Sequence, residues 1–254
     1  MPRISRRGFL KLALYGGILY TVMGSVKAYT LSVDEVDAGL GTRLLFAPDI
    51  HTHGGDRGYL VDAVASLKPD ILVLGGDLWD YRTPSLSHVK NLINGIRGYT
   101  PTIIMVLGNH EYIANARGRV RLGEAIQALE DLGVTVLRDD KTSIGGLIIG
   151  GLDWRHNPKH YTDPARRLGE VDVMISHSPD SFPHLSSKQH ILLAGHTHGG
   201  QVCLPGQVSM ATNSVYGYTW GTYRMGDRVM YLSRGAGEMV PPRVYCGRHV
   251  YLLS

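Results

Sequence analysis

Gly195-His196-Thr197-His198-Gly199-Gly200-Gln201 directly follows an apolar run, Ile191-Leu192-Leu193-Ala194. Read as a strand, that run places two histidines at its C-terminal end, in a turn that glycine permits. Two residues apart on extended backbone, both imidazoles face one side. Histidine is the commonest metal ligand among side chains. Any two surface histidines would give the same local pattern, so its meaning depends on whether the chain repeats it.

Upstream, it does. A first strand over residues 31–36 is followed by Arg43-Leu44-Leu45-Phe46-Ala47, which ends in Pro48-Asp49-Ile50-His51-Thr52-His53-Gly54-Gly55. Leu60, Ala63, Val64 and Leu67 then recur at helical spacing until Pro69. Ile71-Leu72-Val73-Leu74 ends in Gly75-Gly76-Asp77-Leu78-Trp79-Asp80. A helix is expected over 85–96. A strand over 102–107 then ends in Gly108-Asn109-His110-Glu111, and a third helix is expected over 117–132, stopping at Gly133. Strand, polar turn and helix in repetition give a parallel sheet covered on both faces, with ligands at the carboxyl ends of its strands. The second half holds short strands, at 134–137, 143–149, 171–175, 191–194, 201–204 and 229–233. They are expected to form a second sheet, packed on the first and antiparallel at its edges. One of them ends in Ser176-His177-Ser178-Pro179.

The strand ends collect Asp49, His51, Asp77, Asn109, His177, His196 and His198. These seven ligands exceed one tetrahedral ion and suit two divalent ions sharing a carboxylate. Mixed nitrogen and oxygen ligation without thiolate points to Mn, Zn or Fe rather than Ca or Mg.

Asp-x-His, Gly-Asp-x-x-Asp, Gly-Asn-His-Glu, a lone His after a strand and Gly-His-x-His, in that order, resemble the calcineurin-like metallophosphoesterase superfamily. The blocks span residues 49–198. Met230-Tyr231-Leu232-Ser233-Arg234-Gly235-Ala236-Gly237 and Pro241-Pro242-Arg243 extend the resemblance into the tail. It implies a four-layer α/β/β/α sandwich of two mixed sheets flanked by helices, and hydrolysis of phosphate esters or anhydrides. Asp49, His51 and His198 would hold one metal, Asn109, His177 and His196 the other, with Asp77 between them. His110 would protonate the leaving oxygen or stabilise phosphoryl charge, held oriented and cationic by Asp80. Arg234 and Arg243 are offered as phosphate partners, and Tyr216, Tyr218, Trp220 and Tyr223 as an apolar wall.

The 254 residues carry a formal charge of +4, and Arg3, Arg6, Arg7 and Lys11 supply much of it near the N-terminus. The remainder is nearly balanced, which argues against a nucleic-acid partner. Ser5-Arg6-Arg7-Gly8-Phe9-Leu10-Lys11 resembles the twin-arginine export signal, and an uncharged apolar stretch follows over 12–26. Residues 1–30 are therefore expected to be a signal or membrane anchor read by the twin-arginine export machinery, and residues 31–254 one domain. Together with the Gly-His-Thr-His-Gly-Gly-Gln block, this looks most like the YkuE-like branch. That resemblance implies a phosphodiester or pyrophosphate substrate, lipid-linked or of the cell envelope, such as UDP-2,3-diacylglucosamine, met in the periplasm or at the outer face of the cytoplasmic membrane. A broad phosphomonoesterase and a metal-stabilised scaffold are the competing readings. Cys203 and Cys246 are expected to be free and buried rather than bonded.

Overall fold

The computed structural model describes residues 5–53, 57–240 and 242–254, without the side chains of residues 26 and 27. Arg3, the Gly54-Gly55 end of the first metal turn and Pro241 of the tail block lie outside the described residues.

A long helix, α1 (Arg6–Ala28), opens the chain, with the Ser5 side chain accepting from Gly8 N. Strands β1 (Ser32–Val36), β2 (Leu44–Ala47), β3 (Ile71–Leu74), β4 (Thr102–Val106) and β5 (Val134–Leu137) alternate with α2 (Gly58–Leu67), α3 (Leu86–Ile96), α4 (Asn109–Ala116) and α5 (Leu122–Glu130). The second half supplies β6 (Asp140–Ile144), β7 (Leu147–Leu152), α6 (Thr162–Leu168), β8 (Val171–Ser176) and β9 (Gln189–Ala194). It then adds a small hairpin of β10 (Cys203–Leu204) and β11 (Val208–Ser209), followed by β12 (Gly221–Met225), β13 (Arg228–Leu232) and β14 (His249–Leu253).

These make two six-stranded sheets, ordered β1-β14-β2-β3-β4-β5 and β12-β13-β9-β8-β7-β6. Strands β2 to β5 run parallel in the first, and β7, β8, β9 and β13 in the second, whose edge strands β6 and β12 are antiparallel. Period-two alternation assigns each strand's side chains to different layers. Leu45, Leu72 and Met105 face α2, α3 and α5, whereas Phe46, Val73 and Ile104 meet Val173, Ile175 and Leu193 between the sheets. The outer face of the second sheet, with Met174, Leu192 and Met230, packs on Tyr161, Ala165 and Phe182 around α6. Helix, sheet, sheet and helix form the four expected layers.

Four expectations are corrected. The strand expected over 201–204 in the second sheet is only β10, which pairs with β11 in a hairpin outside both large sheets. β5 belongs to the first sheet, pairing with β4, because a parallel edge there covers Ile103 to Val106. The strand expected over 143–149 is a hairpin turning at Gly145-Gly146, both at positive φ. The third helix, expected over 117–132, is the shorter α5, and an unexpected helix, α4, precedes it, with Gly118 at φ +64° in the break between them. The last turns of α1 rest on the domain formed by the rest of the chain. The Tyr20 ring lies 5.0 Å from that of Tyr245, tilted by 51°, and Tyr245 N donates to Gly24 O.

Candidate metal centre

β2, β3, β4, β8 and β9 all point their carboxyl ends to one rim, where the two sheets meet. Backbone bonds then carry the pairing past the strand ends: Asp49 N to Gly76 O at 2.9 Å, His51 N to Asp77 O at 3.0 Å and Gly195 N to His177 O at 3.1 Å. The sheets are tied across by His196 N, which donates to both oxygens of Asp49 at 3.1 and 3.0 Å. The approach is close: a Cβ on Gly195 would lie 2.6 Å from Asp49 Oδ2, and one on Gly108 would collide with Asp77 Oδ1. Glycine is required at both places.

Ligand atoms of Asp49, His51, Asp77 and His198 lie within 4.8 Å of one another, as do those of Asp77, His177 and His196. Asp77 is common to both groups. Its Oδ2 is 3.1 Å from His177 Nε2 and 3.7 Å from His51 Nε2, and its Oδ1 accepts from His110 N at 2.8 Å. Each histidine is aimed by its other nitrogen. His51 Nδ1 meets Asp80 Oδ2 at 2.9 Å, His177 Nδ1 donates to Gly75 O at 2.9 Å, and His196 Nε2 faces Asn213 Nδ2 at 3.0 Å. Second partners of this kind orient metal-ligating imidazoles.

Three observations fit these residues to divalent metal. Asn109 Oδ1 is buried without a hydrogen-bond partner among the described residues, at a cost of ~1–3 kcal/mol unless a cation takes it. With protons as the only cations, the charges conflict. Burial raises Asp49 to about 6, and burial together with His177 presses His196 down to about 3. Against the burial that lowers it, Asp77 lifts His177 to about 10. Metal ions replace those protons and relieve the conflict. Finally, Asp49, His51, Asp77, His196 and His198 make up five of the ten non-glycine residues at positive φ among the described residues. Such strain persists where the surroundings enforce it and clusters at functional sites.

Several residues take other roles than expected. Asp80 does not hold His110; its carboxylate bonds His51 instead, and burial lowers the pKa of His110, so it is not kept cationic. Asp80→Asn is therefore expected to weaken metal binding by roughly 10- to 100-fold while leaving the fold intact. Competition with a chromophoric chelator measures this, and unchanged affinity would refute the orienting role. Arg243 is fully buried, and its guanidinium donates to the carbonyls of Gly237, Cys246 and Arg234 with Nη2 3.2 Å from His198 Nδ1. It braces the metal loop and does not face a phosphate. Cys203 and Cys246 are bonded, with Cα atoms 5.5 Å apart, because Cys203 N pairs with Val244 O and brings the two segments together. Tyr218 packs on Tyr223 at 4.8 Å and Tyr216 on His184, so that part of the aromatic cluster fills space between loops.

Three residues were not singled out from the sequence. Glu111 is buried, and its carboxylate accepts from the backbone nitrogens of Gly108, Asp77, Leu78 and Trp79 at 2.8, 3.0, 2.6 and 3.3 Å. It therefore shapes the turn that carries Asp77, and its place in the Gly-Asn-His-Glu block was the available signal. Trp154 follows the end of β7 and lays its ring 4.9 Å from His196 and 5.7 Å from His177, with Nε1 buried and unpartnered among the described residues. Asn213 offered no signal.

The family model for calcineurin-like phosphoesterases matches residues 42–200. An uncharacterized metallophosphoesterase of Aquifex aeolicus is 27% identical over 241 residues, covering 88% of each chain. The phosphodiesterase YaeI of Escherichia coli is 28% identical over 227 residues, covering 84% of this chain and 81% of its own. The uncharacterized protein YpbG of Bacillus subtilis is 27% identical over 186 residues, covering 70% of this chain and 69% of its own. The matched span runs from the start of β2 through the His196-Thr197-His198 turn, and the chain belongs to the calcineurin-like phosphoesterase family of metal-dependent phosphoester hydrolases.

Proposed function

We propose that the protein hydrolyses a phosphodiester or pyrophosphate bond in a lipid-linked or cell-envelope substrate, of which UDP-2,3-diacylglucosamine is an example. We place it at a membrane face after twin-arginine export, as in the YkuE-like branch it resembles. The observation that carries the chemistry is the pair of ligand groups sharing Asp77. Two divalent ions held there, for which Mn, Zn or Fe suit the donor set, would supply Lewis acidity toward a phosphoryl group.

The chain's own residues do the rest. Asp49, His51, His198 and Asp77 would hold one ion, and Asp77, Asn109, His177 and His196 the other. His110 sits beside Asn109, with its ring 5.1 Å from that of His51 and its Nδ1 buried without a partner among the described residues. Burial lowers its pKa and so favours the neutral ring. An arriving phosphate anion favours the charged form again, so His110 acquires its proton when substrate is present and delivers it to the leaving oxygen.

The lipid component is supported by exposed apolar surface. Phe9, Leu12, Leu14 and Tyr15 of α1 are 61 to 65% exposed, and Leu204, Val208 and Met210 of the β10–β11 hairpin are exposed as well. That hairpin directly follows the metal loop and is tied to α1 by Tyr20 Oη, which donates to Cys203 O. No helix among the described residues is long and apolar enough to cross a membrane. Through these exposed apolar side chains α1 would meet the lipid surface. The relative named as a phosphodiesterase supports a diester.

Turnover of bis(p-nitrophenyl) phosphate by the full chain, with Mn, Zn, Fe or Mg supplied in turn, tests the reaction. The expected result is turnover that needs a transition metal and falls by roughly 10²- to 10⁴-fold in His110→Ala, with metal content retained. Two bound ions without turnover of this diester or of UDP-2,3-diacylglucosamine in detergent would overturn the reading in favour of a scaffold.

A further inference from the structure

Four arginines are buried among the described residues: Arg57, Arg234, Arg243 and Arg248. Three of them gather round one carboxylate. Arg248 meets Glu238 at 2.8 Å, Arg57 lies 3.8 Å from it and Arg243 3.9 Å. Arg234 is different. It is only 5% exposed, yet no ion pair reaches it among the described residues. Its acceptors are all neutral: Gly247 O at 3.2 Å from Nε, Ser32 Oγ at 3.1 Å from Nη2, and Gln207 Oε1 at Nη1. The Trp220 ring covers the guanidinium at 4.4 Å from its centroid. A buried guanidinium without a directly contacting counter-charge is costly; burial lowers its pKa, and Asp34 opposes this only from beyond contact distance.

This guanidinium lines a cavity of about 560 Å³, together with Thr30, Ser32, Gln207, Tyr245 and Gly247. The volume lies within the range of small-molecule sites, and the lining offers hydroxyl, amide and aromatic groups around one fixed cation. The cavity is distinct from the metal centre. The stem of Arg234 packs against Gly199, where a Cβ would lie 2.7 Å away, so the metal loop forms a wall between them. Thr30 stands just beyond the end of α1 at Ala28. A phosphate seated here would therefore lie at the foot of the exposed apolar helix.

We propose that this cavity is a second anion site, which binds a phosphate group through Arg234. The phosphate belongs either to the headgroup of a phospholipid whose chains run along α1 or to a soluble phosphate compound. The planar fork of arginine is suited to a phosphate in two-point contact. Binding would supply a counter-charge in direct contact, where the fold offers only Asp34 beyond ion-pair distance.

The test uses the full chain stripped of metal by chelation, so the metal centre takes no phosphate and the outcome does not depend on turnover. Two probes are applied: inorganic phosphate by calorimetry, and flotation on galactolipid vesicles with and without phosphatidic acid. Arg234→Gln removes the cation. Gln207→Glu keeps it, at nearly unchanged shape, and pairs it internally, so it also covers the case in which Arg234→Gln fails to fold. Both variants are expected to weaken binding by roughly tenfold or more, the worth of a charge-assisted contact. Flotation that depends on phosphatidic acid and is lost in the variants assigns the site to lipid. Loss of inorganic phosphate binding alone, with flotation unchanged, assigns it to a soluble phosphate. Wild-type protein that binds neither probe, or that binds them no better than Gln207→Glu does, overturns the proposal.

Discussion

Asp77→Ala is expected to strip both metal positions at once and to reduce phosphodiester turnover by more than about 10⁴-fold, beyond what a single acid–base group supplies. The reason is geometric. Asp77 is the residue shared by the two ligand groups, and its two oxygens face different neighbours, His177 on one side and the His110 backbone on the other. Burial favours its neutral form, but His177 and His51 outweigh that and hold the carboxyl well below its ordinary range, so it is ionised and ready to ligate. Removing a ligand that belongs to one group only, such as His51, leaves the other group complete. Metal content measured by plasma emission discriminates the cases. A chain lacking Asp77 that still holds two ions would show that the carboxylate does not bridge.

Glu111→Ala is expected to have the largest effect on stability while touching no substrate. Its carboxylate collects four backbone N–H groups from Gly108 and residues 77–79. Truncation leaves those donors buried, at ~1–3 kcal/mol each. A total of about 4 kcal/mol or more corresponds to a fall in Tm on the order of 10 °C for a chain of this size. Because the same turn carries Asp77, metal affinity should fall with it. Scanning calorimetry with and without metal checks both. A melting point within about 2 °C of wild type, judged by the same scaling, would show that water replaces the carboxylate. Glu111→Gln keeps the shape but substitutes an amide, which offers one oxygen where the carboxylate offers two, and should fall between.

The layers and the ligand positions were legible because each ligand stands at the end of a short apolar run. β2, β3, β4, β8 and β9 announce themselves by composition, and parallel strands necessarily send their carboxyl ends to one rim. Contacts between side chains distant in sequence were not legible. Asp80 and His110 stand close in the motif order, yet Asp80 turns to His51, 29 residues away. Glu111 looks like an ordinary acid in the first turn of α4, and only the folded turn shows four donors converging on it. The Cys203–Cys246 bond spans 43 residues and depends on a backbone pairing that no local pattern encodes. β5 was misassigned because a short apolar strand does not declare which of two sheets it joins. Arg243 carries the same charge as a phosphate-binding arginine, and only its burial among carbonyls separates the two roles.

The left-handed backbone at Asp49, His51, Asp77, His196 and His198 bears on how such a sequence ages. At each of these positions glycine suits the backbone geometry better than the residue present, so the side chains are kept there by the groups they gather at the rim. In a lineage released from selection on hydrolysis, these positions would be the first to change. Substitution toward glycine would relieve backbone strain at His51, His196 and His198, whereas at Asp49 and Asp77 it would orphan the backbone donors of His196 and His110. The two sheets and their helices would outlast the reaction, leaving descendants with the same outline, a quieter rim and a surface free to be recruited for something else.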